Sequence, residues 1–72
     1  MSDSIFTTLI PATDENLGLV AMQRNSDGAI LVGLEEDGQW MTIVETAKPA
    51  DGPDMVLEAA ERAMFTAKCI IF

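Results

Sequence analysis

Glu35, Glu36 and Asp37 stand side by side in the stretch GLEEDGQW, just ahead of Trp40, the chain's single tryptophan. Neighbouring carboxylates can divide acid and base work between them, as in glycoside hydrolysis, where one carboxyl donates a proton and the other attacks or activates water. That chemistry also needs a substrate cleft, and a chain of 72 residues has little material to build one. The sequence contains no His and no Tyr, which excludes imidazole acid–base catalysis and histidine-based triads. Cys69 is the only cysteine; it sits in the apolar tail KCIIF with Lys68 as its one basic neighbour, so it reads as a small buried hydrophobe rather than a reactive thiolate. A lone Cys without His also provides neither a zinc ligand set nor an intrachain disulfide.

The segment QRNSDGAI places Asn25, Asp27, Gly28 and Ile30 in the relative positions of a calcium loop. Gln23 and Leu34 would then supply the first and last ligands, and the flanks read as strands rather than helices, so the segment is a hairpin loop. The glycines form no phosphate-binding pattern. The expectation is a non-enzymatic protein with no cofactor and no metal.

Charge is the stronger signal. Twelve Asp and Glu face four Lys and Arg, a formal net charge of -8. Such a field repels nucleic acid and anionic lipid and steers the molecule toward basic surfaces, including those of proteins that themselves bind nucleic acid. It also keeps a small domain soluble. The acids are dispersed over Asp14, Glu15, Asp27, Glu35, Glu36, Asp37, Glu58 and Glu61. The expected partner contacts are Glu35, Glu36 and Asp37, with Trp40 as an anchor and Asp27, Glu58 and Glu61 in support. The start MSDSIFTTLIP lacks the basic and long apolar segments of a signal peptide, and runs such as Ala29 to Leu34 are too short to span a bilayer, so a cytoplasmic protein is expected.

Residues 1–72 read as one α+β domain, an antiparallel meander of four to five strands with one helix on one face. Ser4 to Ile10 is β-branched and aromatic and is stopped by Pro11; Leu17 to Arg24 and Ala29 to Glu35 flank the turn signal NSDG; Gln39 to Thr46 follows Asp37-Gly38, a strong hairpin signal. Met55 to Ala67 changes to helical periodicity, with Pro53 in its first turn, Asp51 or Asp54 as cap, and Val56, Leu57, Ala60, Ala63, Met64 and Ala67 as its apolar stripe. Lys68 to Phe72 reads as a last strand, with a helix running on to the end as the alternative.

A two-residue Asp37-Gly38 loop pairs Glu35 with Trp40 and Leu34 with Met41, and, continued without interruption, Val32 with Ile43 and Leu31 with Val44. Ile30, Val32, Leu34, Met41 and Ile43 then share the face under the helix, joined by Val20 and Met22 if a three-residue loop closes the preceding hairpin. Leu31, Glu35, Trp40, Thr42 and Val44 fall on the other face with Leu19 and Ala21. One helix cannot cover both faces, so the second is covered by another copy of the chain, by a different partner, or by the first strand and the tail. Leu31, Trp40 and Val44, with Phe65 on the helix flank, are the expected contacts of a homodimer, a reading that suits a chain this short, because small domains often complete thin cores by oligomerising.

In type, the chain resembles the small acidic inhibitor proteins of phages and mobile elements, the anti-CRISPR proteins and DNA mimics. The resemblance is carried by length, acidity, the absence of catalytic residues, and the meander LVAMQRNSDGAILVGLEEDGQWMTIVET followed by DMVLEAAERAMF. It implies inhibition by occupying a basic nucleic-acid-binding surface of a host effector complex, such as a CRISPR effector subunit, without direct nucleic-acid or membrane binding. It transfers no functional residue position by position.

Overall fold

The computed structural model describes residues 5–50 and 52–71. Strands β1 (Phe6–Ile10), β2 (Val20–Arg24), β3 (Ile30–Glu36) and β4 (Gln39–Thr46) form one antiparallel sheet in sequence order. After a 3₁₀ turn at Pro53–Met55, helix α1 (Val56–Ile71) packs across the sheet. This is the expected α+β meander, without the fifth strand: Lys68 to Ile71 continue the helix, because no Gly or Pro interrupts it and Ala67 still holds its buried face on the sheet. Ser4, the expected cap Asp51, and Phe72 lie outside the described residues.

The core joins Leu19, Ala21, Ile30 and Val32 of the sheet side to Ala60, Ala63, Met64 and Ala67 of α1, bordered by Leu9, Ile10, Leu34, Ile43, Val44 and Val56. The helical stripe matches the expected one except at Leu57, which is exposed at the margin of the buried arc.

Two register shifts reassign the faces. The loop closing β2 and β3 holds Asn25 to Gly28: Arg24 pairs with Ala29 through the Arg24 amide and Ala29 carbonyl at 2.7 Å, and Gly28 N donates to Arg24 O at 2.7 Å. That loop is one residue longer than expected, and because side chains alternate along a strand, the slip inverts β2. Ala21 lies opposite Val32 on the helix side, while Met22 lies opposite Leu31 on the other. Leu19 and Ala21 are therefore core, and Val20 and Met22 are not. The second shift is a β-bulge in β4: Gly33 pairs with Thr42 but Val32 pairs with Val44. The extra residue, Ile43, lets Ile43 and Val44 both turn toward the core. Met41, expected under the helix, is 55% exposed on edge strand β4.

Candidate binding surface

The β3–β4 hairpin holds its carboxylates on a rigid tip. Asp37 and Gly38 have φ of 55° and 78°, positive at both central residues as a type I′ turn requires. Glu35 pairs with Trp40 and Glu36 with Gln39, as the hairpin arithmetic predicts. Glu35, Glu36 and Asp37 are exposed and form no ion pair among the described residues.

Trp40 belongs to the face without the helix. Its Nε1 donates to Thr42 Oγ1 at 2.7 Å, so the indole runs along its own strand. The ring lies over Gly33: a Cβ on that glycine would come within 2.9 Å of Trp40 Cζ2. An aromatic ring thus replaces the side chain that Gly33 lacks, a known way of filling the gap a glycine leaves in a sheet. Glu36, Asp37, Gln39, Trp40 and Met41 line an open groove beside the tip. Its apolar wall and carboxylate rim suit a long cationic side chain, whose methylenes can rest on the indole while its charge meets the acids.

In an antiparallel meander, alternate connections share an end of the sheet. The β1–β2 loop therefore stands at the same end as the hairpin tip, about 10 Å away across two strand spacings. Asn16 N and Gly18 N both donate to Thr13 O, Leu17 N donates to Asp14 O, and Leu17 and Gly18 close this turn with φ of 60° and 81°. The turn leaves Asp14 and Glu15 exposed. They join Glu35, Glu36 and Asp37 in one acidic end, a grouping that sequence spacing hides and that follows only from the order of the strands.

The other expected contacts are engaged elsewhere. Asp27 accepts two bonds from Arg24, at 3.0 and 2.7 Å, and one from the Ala29 amide at 3.0 Å. The Arg24 bonds, followed by the amide, lower its carboxyl from the ordinary 3.8 to about 2. The same pairing with Asp27, aided by Glu45, raises the Arg24 guanidinium above its usual range. Asp27 organises the β2–β3 loop at the opposite end of the sheet. Glu58 pairs with Arg62 at 2.7 Å on the outer surface of α1, and Glu61 is exposed on the same helix. None of these joins the hairpin carboxylates.

The expected dimer contacts also separate. Leu31 and Trp40 remain on the open sheet face, Val44 turns into the helix-side core, and Phe65 is 69% exposed on the outer surface of α1, with the sheet between it and Trp40. Cys69, expected to be buried, is exposed on the helix. Among the described residues no group of His, Cys, Asp and Glu is arranged to hold a metal ion, and no helix is long and apolar enough to cross a membrane. No protein-family model matches the chain, and no curated protein or solved structure matches it.

Proposed function

We propose that the chain is a non-enzymatic inhibitor whose acidic end docks on a basic, nucleic-acid-binding surface of a partner protein, in the manner of the small acidic inhibitors of host defence complexes. The observation that carries this reading is the distribution of ion pairs. Both arginines are matched with acids away from the hairpin, Arg24 with Asp27 and Glu45 and Arg62 with Glu58. Among the described residues, Asp14, Glu15, Glu35, Glu36 and Asp37 enter no ion pair, on an end where the groove along Trp40 offers a seat for an arginine or lysine stem.

Like charges held about 10 Å apart lie near one Debye length at physiological salt, so they act on an approaching basic surface together. This favours fast, salt-sensitive association. The test is displacement of a labelled duplex from a panel of purified nucleic-acid-binding effector subunits. The chain displaces the duplex from its target, and a triple variant, Glu35→Gln, Glu36→Gln and Asp37→Asn, loses roughly ten- to a hundredfold in potency, since each exposed ionic contact is worth up to about 1 kcal/mol. Asn is chosen at position 37 because it tolerates the positive φ found there. A chain that leaves every duplex bound, or a triple variant as potent as the parent, contradicts the reading.

A further inference from the structure

We infer that the outer edge of β4 is a strand-docking site, where an extended basic segment of the partner pairs antiparallel with β4 and lays a lysine or arginine across Trp40. This rests on the function proposed above and names the element by which the partner is held. β4 ends the sheet: β3 lies on one side of it and, among the described residues, no strand lies on the other. Helix α1 packs on its face and leaves the edge open. An edge strand presents unpaired N–H and C=O groups, and folded proteins usually blunt such an edge with lysine, proline or an inward-pointing charge. From Gln39 to Val44 β4 carries no charge, no proline and no glycine. Met41, on this edge, is 55% exposed.

The hairpin decides which backbone groups face outward. A two-residue loop is closed by a hydrogen-bonded pair, Glu36 with Gln39, and bonded pairs alternate along the ladder with pairs that are not bonded. Leu34 with Met41 is therefore bonded, in accord with the Met41 carbonyl lying against Gly33 of β3. Glu35 with Trp40 and Gly33 with Thr42 are the non-bonded pairs, so the N–H and C=O of Trp40 and Thr42 point away from β3. The bulge at Ile43 breaks this alternation beyond Thr42. An incoming strand is thus offered the donors and acceptors of Trp40 and Thr42, directly beside the acidic tip.

Side-chain alternation then specifies the segment. A residue bonded opposite Trp40 or Thr42 shares their face, the one without the helix, and the residue between them shares the face of Met41. Opposite Trp40 a lysine or arginine rests its stem on the indole while its charge reaches toward Glu35, which pairs with Trp40 from β3. An aliphatic side chain beside Met41 buries that exposed thioether. Nearer the tip, a second basic side chain meets Glu36 and Asp37 on the rim of the groove. Charge selects such a segment over a second copy of the chain: pairing β4 with its own equivalent would bring together two bodies of formal charge -8, whereas a basic strand is drawn to the acids flanking the edge.

The probe is a short capped peptide alternating lysine with valine, titrated into the full chain and followed by NMR. In this arrangement the lysine amides face β4 and the valine amides face away. N-methylation of the lysine amides weakens binding roughly tenfold or more, because the backbone bonds to Trp40 and Thr42 are lost. N-methylation of the valine amides, which leaves the charge the same, keeps affinity within about twofold. The bound peptide also slows hydrogen exchange at the Trp40 and Thr42 amides. Thr42→Pro, which removes an outward donor and leaves the β3 ladder intact, loses the peptide. The peptide pair is read on the parent chain, so it decides the matter even if Thr42→Pro fails to fold. If the two methylated peptides bind alike and only the Glu35→Gln, Glu36→Gln, Asp37→Asn variant loses affinity, strand docking is overturned while docking through the acidic end stands. Discrimination between the peptides that persists undiminished in that variant upholds the edge site and counts against the acidic end. A loss on methylating valine rather than lysine, or protection of Trp40 and Thr42 that grows with chain concentration in the absence of peptide, overturns the inference, the latter by assigning the edge to a second copy.

Discussion

A methyl group on Gly33 would collide with the Met41 carbonyl and crowd the Trp40 ring. The clash is steric, and the carbonyl cannot move without breaking the β3–β4 ladder. Gly33→Ala is therefore expected to cost about 1–3 kcal/mol, the usual range of overpacking in a tight site, measured as a lower urea midpoint with a shift in Trp40 fluorescence. At the other end of the sheet, Asp27 couples stability to acid. Its carboxyl lies at about 2 in the folded chain against an ordinary 3.8. The charged form is the one the fold favours, so this contribution is present above 3.8 and is lost as pH falls from there through 2. Asp27→Asn removes the linkage. The stability gap between parent and variant narrows across that window in acid-dependent urea melts.

The β3–β4 hairpin shows what local sequence determines and what it leaves open. Asp37-Gly38 identifies the turn type, and that turn sets the pairs from Glu36 with Gln39 to Leu34 with Met41. Gly38→Ala places a Cβ on a residue with φ of 78° and is expected to cost about 1 kcal/mol by thermal melting, whereas Asp37→Asn is close to neutral. Beyond Gly33 the pattern was not legible, because Ile43 and Val44 are both apolar and β-branched and nothing in their types marks a bulge. The β2–β3 loop failed for a similar reason. Asn25 can end a strand or sit in a turn with equal ease, and that single residue decides whether Ala21 or Met22 faces the helix. The tail misled because Ile70 and Ile71 favour strand, while continuity with a helix already anchored at Ala60, Ala63 and Ala67 outweighs that preference. The hairpin part of the acidic end could be read directly. Its extension to Asp14 and Glu15 needed strand order, and the pairing of Asp27 and Glu58 needed the positions of Arg24 and Arg62.

At the scale of the whole molecule, charge divides the surface. In the function proposed, the end bearing Asp14, Glu15, Glu35, Glu36 and Asp37 meets a basic partner, and the acids paired with Arg24 and Arg62 lie away from it. The most direct measurement of docking is affinity for the effector subunit from which the duplex is displaced, as a function of ionic strength, for the parent and for the Glu35→Gln, Glu36→Gln, Asp37→Asn variant. The parent's affinity should fall steeply with salt and the variant's should begin weaker and fall less. Parallel curves for the two proteins would contradict docking through the acidic end.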